Sequence, residues 1–128
     1  MPERQLISSG SPFEGVFGFS RAVRVGDRVF VSGTVAWNEA GELVGAGDMY
    51  AQAKQAIGNI EAALREAGAS LSDVVRTRIF VTDIRRFEEV ARAHSEAFGE
   101  VRPAATLVAV SALAVPELLV EIEADAVV

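Results

Sequence analysis

At 128 residues, half of them hydrophobic and 23% charged, the chain has the composition of one folded domain, residues 1–128, and is neither disordered nor long enough for two domains. The absence of cysteine excludes disulfides, thiol nucleophiles, thiolate zinc sites and iron–sulfur clusters, and a single histidine, His94, excludes a His-pair metal centre. A formal net charge of −6 speaks against unspecific nucleic-acid binding, which requires neutralisation of phosphates.

In chain order, a short strand is expected near Gln5 to Ser8, followed by a hairpin from Val23 to Arg28 turning at Gly26-Asp27. Arg28 to Ser32 reads as a strand, and Asn38 to Gly41 as a turn. Asp48 is a good N-cap for a helix in which Ala53, Ile57, Ile60 and Leu64 recur at three- and four-residue spacing, closed by Gly68 as a C′ glycine. Val74 to Val81 is the longest strand, rich in β-branched residues. A second helix follows Asp83, its apolar stripe made of Phe87, Val90, Ala91, His94 and Phe98, stopped by Gly99 and Pro103. Ala105 to Val110 is a further strand. Leu118 to Val127 is the last, with Val120, Ile122 and Ala124 on one face and Glu121, Glu123 and Asp125 on the other.

This order of strands, helix, strand, helix and strands predicts an α+β fold, a mixed sheet with two helices packed on one face. Two helices leave the second face bare. On that face the longest strand is expected to place Val74, Arg76, Arg78 and Phe80, with Val75, Thr77, Ile79 and Val81 pointing to the core. Apolar area interrupted by arginine is the composition of a subunit interface, so an oligomer is expected. The N-terminus lacks an apolar core of signal-peptide length, and no apolar run approaches about 18 residues, so the expected location is the cytoplasm, with no membrane partner.

Several stretches together resemble the Rid (YjgF) family. They are Arg24-Val25-Gly26-Asp27-Arg28-Val29-Phe30-Val31-Ser32-Gly33, Glu66-Ala67-Gly68-Ala69-Ser70-Leu71-Ser72-Asp73-Val74-Val75, Ile79-Phe80-Val81-Thr82-Asp83 and Val120-Glu121-Ile122-Glu123-Ala124. The resemblance runs from about Phe19 to Ala126. It implies a chorismate-mutase-like fold assembled as a homotrimer, with the sheets facing inward and the helices outside. It further implies a small-molecule ligand in a cleft between subunits, and no metal or organic cofactor. The archetypal activity is hydrolysis of 2-imino or enamine acids to 2-keto acids and ammonia. Some relatives are labelled endoribonucleases or translation inhibitors, a reading that the acidic charge of this chain disfavours.

The family's deaminases hold the substrate carboxylate with an arginine directly after a Pro-Ala pair. Here Pro103-Ala104 is followed by Ala105, then Thr106, and Leu107 stands where the family often has cysteine. A tyrosine common early in the family corresponds to Phe19. Loss of a bidentate Arg–carboxylate contact in a desolvated cleft costs roughly 2–5 kcal/mol, on the order of 30- to several-thousand-fold in affinity. The implied pocket therefore has an altered specificity, for a less acidic, or larger and flatter, ligand. The alternative is an imine deaminase in which Arg102 or Arg78 substitutes as anchor. Glu121 matches the residue associated with activating water and is the candidate general acid/base, with Ser32 and Gly33 beside the ligand. Without the family, the acidic residues of the last strand read as structural partners of Arg76 and Arg78.

Overall fold

The computed structural model describes residues 3–128. Six strands form a single mixed sheet in the order β1-β2-β3-β6-β4-β5. The strands are β1 (Arg4–Ile7), β2 (Ala22–Val25), β3 (Arg28–Thr34), β4 (Val74–Val81), β5 (Ala104–Ala109) and β6 (Val120–Val127). Three helices join them: α1 (Pro12–Phe17), α2 (Met49–Glu66) and α3 (Phe87–Phe98). Only β4 and β5 pair in parallel; every other neighbouring pair is antiparallel. The last strand lies at the centre. Because β6 is antiparallel to both β3 and β4, those two strands run in the same direction with β6 between them.

Helices α2 and α3 pack together over one face of the sheet. The Asp48 carboxylate accepts from the Ala51 backbone N–H at 3.0 Å, and Gly68 takes a left-handed φ of 82°, so both ends of α2 form as their sequence predicts. Ala53, Ile57, Ile60 and Leu64 are buried against Val29, Val31, Ile79, Ile122 and Ala124 of the sheet. The alanines let the helix approach the sheet closely. Gly26 turns the β2–β3 hairpin with φ 61°. No helix among the described residues is long and apolar enough to cross a membrane.

Three local expectations are corrected. The six-residue helix α1 was not foreseen; Ser11 caps it and Pro12 opens it, a favourable first-turn proline. In α3 the buried set is Val90, Ala93 and Phe98, with His94 half-buried, while Phe87 is 48% exposed and Ala91 is exposed. The helix stops at Gly99 as expected, in right-handed geometry, and the chain then takes a left-handed φ of 55° at Arg102 before Pro103. Finally, a β-bulge falls between Val74 and Arg76. It inserts one residue and inverts the alternation at that end of the strand, so Val74 is buried at 3% exposure and Val75 is 47% exposed.

Beyond the bulge the alternation is as expected. Thr77, Ile79 and Val81 face the helices, and Arg76, Arg78 and Phe80 face the open side. That open side also carries Leu6, Val23 and Phe30, paired in register across β1, β2 and β3, and Thr106 and Val108 of β5. It is a face with apolar margins and a charged centre on β6.

Candidate functional site

The charged centre divides into two parts. At one end Arg78 donates from Nη1 to Glu123 at 3.1 Å and to Asp125 at 3.4 Å. These three side chains are partly solvated, and the one guanidinium offsets only part of the charge of the two carboxylates. At the other end is Glu121, which has no ion-pair partner among the described residues.

Glu121 lies over a second β-bulge. In the β3–β6 pairing Val31 opposes Ala124 and Thr34 opposes Ile122, so Ser32 and Gly33 together face Glu123. The bulge re-aims the strand, and the missing side chain of Gly33 makes room for the carboxylate. A Cβ at Gly33 would lie 2.7 Å from Glu121 Oε2. Ser32 is held in place because its Oγ donates to the Ser20 carbonyl at 2.7 Å. Thr34 Oγ1 donates across the bulge to the Ser32 carbonyl, also at 2.7 Å.

Burial pushes the Glu121 carboxyl above the usual carboxylate range, and the charge of Glu123 adds to this; Arg21 partly offsets both. A carboxyl poised nearer neutrality accepts and returns protons more readily at physiological pH. Arg21 was not singled out from the sequence. It precedes Ala22, the first residue of β2, and its Nη1 donates to the Gly33 carbonyl at 2.7 Å and to Thr34 Oγ1 at 3.0 Å. Its guanidinium carbon stands 5.4 Å from the Phe19 ring centroid, a cation–π contact. Burial pushes the guanidinium pKa down, while the Glu14 and Glu121 charges pull it back. The only signal in the sequence was an arginine two residues after Phe19, directly before β2.

The structure brings Glu121, Ser32, Gly33 and, through Arg21, Phe19 to one place. It separates the others. Ala105 pairs with Thr77 and Leu107 with Ile79, so both point to the helix side of the sheet, opposite to Glu121. Ala105 is also three residues along the sheet and two strands across from Glu121, which pairs with Phe80. That is about 14 Å at ordinary strand spacings. Thr106 pairs with Arg78 and shares the open face, on the edge strand. Arg102 is exposed in the turn before β5, at the end of the sheet away from Glu121. Within this chain, Glu121 and Ala105 lie on opposite faces of the sheet and do not line a common cavity.

His94 is not part of this arrangement. It lies between α3 and the sheet, its Nε2 2.9 Å from Thr77 Oγ1 and its ring 4.7 Å from that of Phe98. Burial pushes its pKa below the ordinary value of 6.5.

Comparison with known proteins gives a consistent result. The family model described as endoribonuclease L-PSP matches residues 11–128. The solved structure of Rv2704 from Mycobacterium tuberculosis, described as a member of the YjgF/YER057c/UK114 family, superposes with a TM-score of 0.89 at 53% identity, covering 98% of this chain and 100% of that one. The uncharacterized protein SCO2049 of Streptomyces coelicolor is 43% identical over 120 residues, 94% of this chain and 89% of its own length. The 3-aminoacrylate deaminase RutC of Acinetobacter baylyi is 32% identical over 122 residues, 95% of each chain.

Proposed function

The chain belongs to the endoribonuclease L-PSP (YjgF, Rid) family, and from that premise we propose that it hydrolyses or binds a small imine- or enamine-type metabolite in a cleft between subunits of a homotrimer, with a specificity altered from the 2-imino acid deaminases. The observation that carries this reading is the Glu121 carboxyl, half-buried over the Gly33 bulge with its pKa raised, on a sheet face that no helix covers.

The chemistry follows from that position. The imine reacts as its iminium. Glu121 takes a proton from water as the water oxygen bonds to the C=N carbon, giving a neutral carbinolamine. Glu121 then returns that proton to nitrogen. As the C–N bond breaks and ammonia leaves, the hydroxyl proton passes to the Glu121 carboxylate and the C=O forms, with no net oxidation or reduction. A single carboxyl whose pKa is raised by burial serves each of these transfers.

The separation of Glu121 from Ala105 supports the shared cleft. Only a second protomer, docked against the open face, would bring its own edge strand β5 up to Glu121. The apolar margins of that face, with Leu6 65% and Phe30 45% exposed, suit such burial. Altered specificity rests on Ala105, which offers a methyl group where the deaminases present a guanidinium.

The test is ammonia release from freshly generated 2-iminopropionate by the wild type, Glu121→Ala and Ala105→Arg, with the mass in solution measured alongside. The expected result is a slow wild type, a dead Glu121→Ala, and a gain of about 30-fold or more in Ala105→Arg. Full activity in Glu121→Ala would remove the acid/base assignment. A fast wild type that gains nothing from Ala105→Arg would remove the altered specificity, and a monomer in solution would remove the shared cleft.

A further inference from the structure

We propose that Arg21 is the anion-holding group of the Glu121 site, and that the ligand presents a carboxylate or similar planar oxyanion there, on the β2–β3–β6 side of the cleft. This rests on the reading of Glu121 as the site residue.

Arg21 is oriented before any ligand arrives. Its Nη1 is committed to the Gly33 carbonyl and to Thr34 Oγ1, and Thr34 is itself tied to Ser32. The Phe19 ring flanks the guanidinium. Among the described residues, Nε and Nη2 have no hydrogen-bond partner, and no buried side-chain nitrogen or oxygen is left unpaired, so these two donors are open to solvent. Nε and Nη2 together form the side-on edge of the fork that fits a carboxylate bidentately.

The neighbouring carboxylates do not fill that edge. Glu14 accepts from the Ser9 backbone N–H and from the Ser9 hydroxyl. Glu121 and Glu14 influence Arg21 through charge without forming an ion pair with it. Other arginines near carboxylates are engaged: Arg78 with Glu123 and Asp125, Arg85 with Asp83, Arg86 with Glu89 and Arg65 with Glu61. Arg21 is the half-buried guanidinium that combines a fixed orientation, an open donor edge and proximity to Glu121. The two groups meet across Gly33, with Glu121 over the position of its absent side chain and Arg21 on its carbonyl. A ligand that touches both groups presents its oxyanion to Arg21 and its reacting centre to Glu121. Arg21 also offsets the repulsion that Glu121 would exert on such an anion. The ligand is therefore still acidic, in contrast to the less acidic ligand that Ala105 alone suggests.

The probe is pyruvate, with neutral methyl pyruvate as control, titrated into isotope-labelled full-length wild type, Arg21→Gln and Arg21→Lys and followed by amide chemical shifts. Circular dichroism checks that each variant is folded. Arg21→Gln is expected to weaken pyruvate binding by about 10- to 100-fold, with Arg21→Lys between the two. Methyl pyruvate should bind the wild type and Arg21→Gln equally, and the shifted amides should include Gly33 and Glu121. With 2-iminopropionate as substrate, Arg21→Gln should raise KM far more than it lowers kcat.

Equal pyruvate binding by the wild type and Arg21→Gln overturns the proposal, as does the absence of saturable binding to the wild type. Glu121-dependent hydrolysis with a KM unmoved by Arg21→Gln overturns it while leaving the proposed function intact. Arg21-dependent pyruvate binding by a protein inert towards imines upholds the anchor and removes the hydrolase.

Discussion

The two faces of β6 differ more than any two segments of the molecule, although they alternate residue by residue along one strand. Val120, Ile122, Ala124 and Ala126 are at most 1% exposed and lock the centre of the sheet to α2 and α3. Glu121, Glu123 and Asp125 stay half-buried on the open side, where Glu121 lies over the missing side chain of Gly33 and the other two pair with an arginine. The first set holds the core; the second carries the proposed site. A period of two lets one eight-residue strand satisfy both demands without compromise between them.

That division is testable. The largest effect belongs to the closed face. Ile122→Ala should destabilise the protein by about 2–5 kcal/mol in urea unfolding, because a fully buried side chain at the sheet centre is lost and the neighbouring strands cannot collapse around the gap. A loss below about 1 kcal/mol would mean that the core is looser than its burial implies.

Gly33→Ala should do the reverse. Gly33 does not need a left-handed φ, and the added Cβ meets only the end of the Glu121 side chain, at 2.7 Å. The melting temperature should hardly change, while kcat/KM falls by about 100-fold as the carboxyl is displaced. A destabilised but active variant would show that the bulge serves folding alone.

His94 sharpens the comparison through pH. Its folded pKa is depressed by burial, so the unfolded chain takes up a proton below about pH 6.5 that the folded chain resists. Stability is present above that pH and declines as pH falls through it. His94→Gln keeps a partner for Thr77 and should flatten the wild-type loss of stability as pH falls below about 6.5. An unchanged slope would assign the effect to the carboxylates.

Arg78→Met should produce the smallest change, less than about 1 kcal/mol and diminishing with salt, because its partners are solvated. It frees the charge of Glu123, which raises the Glu121 pKa, so the acid limb of the pH–activity profile should move upward. No movement of that limb would uncouple the two halves of the open face.

Legibility in the sequence followed the range of the interactions. The ends of α2 were readable because Asp48 and Gly68 act on their own backbone within a turn. The alternation of β6 was readable because nothing interrupts it. The inversion at Val74 and Val75 was not, since a bulge depends on the partner strand and leaves no local pattern. The α3 stripe was misassigned at Phe87 and at Ala91, both exposed; with alanine at 91, 93 and 97 the burial phase is ambiguous, and Ala93 is the residue inside. At the site, family resemblance singled out Glu121, Ser32 and Gly33, residues 88 or more apart that only the β3–β6 pairing unites. Arg21 escaped notice because its neighbours, the Gly33 carbonyl and Thr34, lie on the adjacent strand.

The central place of β6 also dictates when the molecule can assemble. β3 and β4 are made before residues 120–127, and until β6 pairs each of those strands lacks its inner neighbour. The pairing of Arg28 with Val127 closes a loop of nearly the whole chain, a non-local contact of the kind that slows folding. Helix α2 and its flanking strands are thus a waiting half-shell, with two open hydrogen-bonding edges that nascent-chain chaperones would have to keep apart from other polypeptides. The strand that carries Glu121 is the one whose pairing ends that exposure, so the proposed site is completed only when the sheet closes.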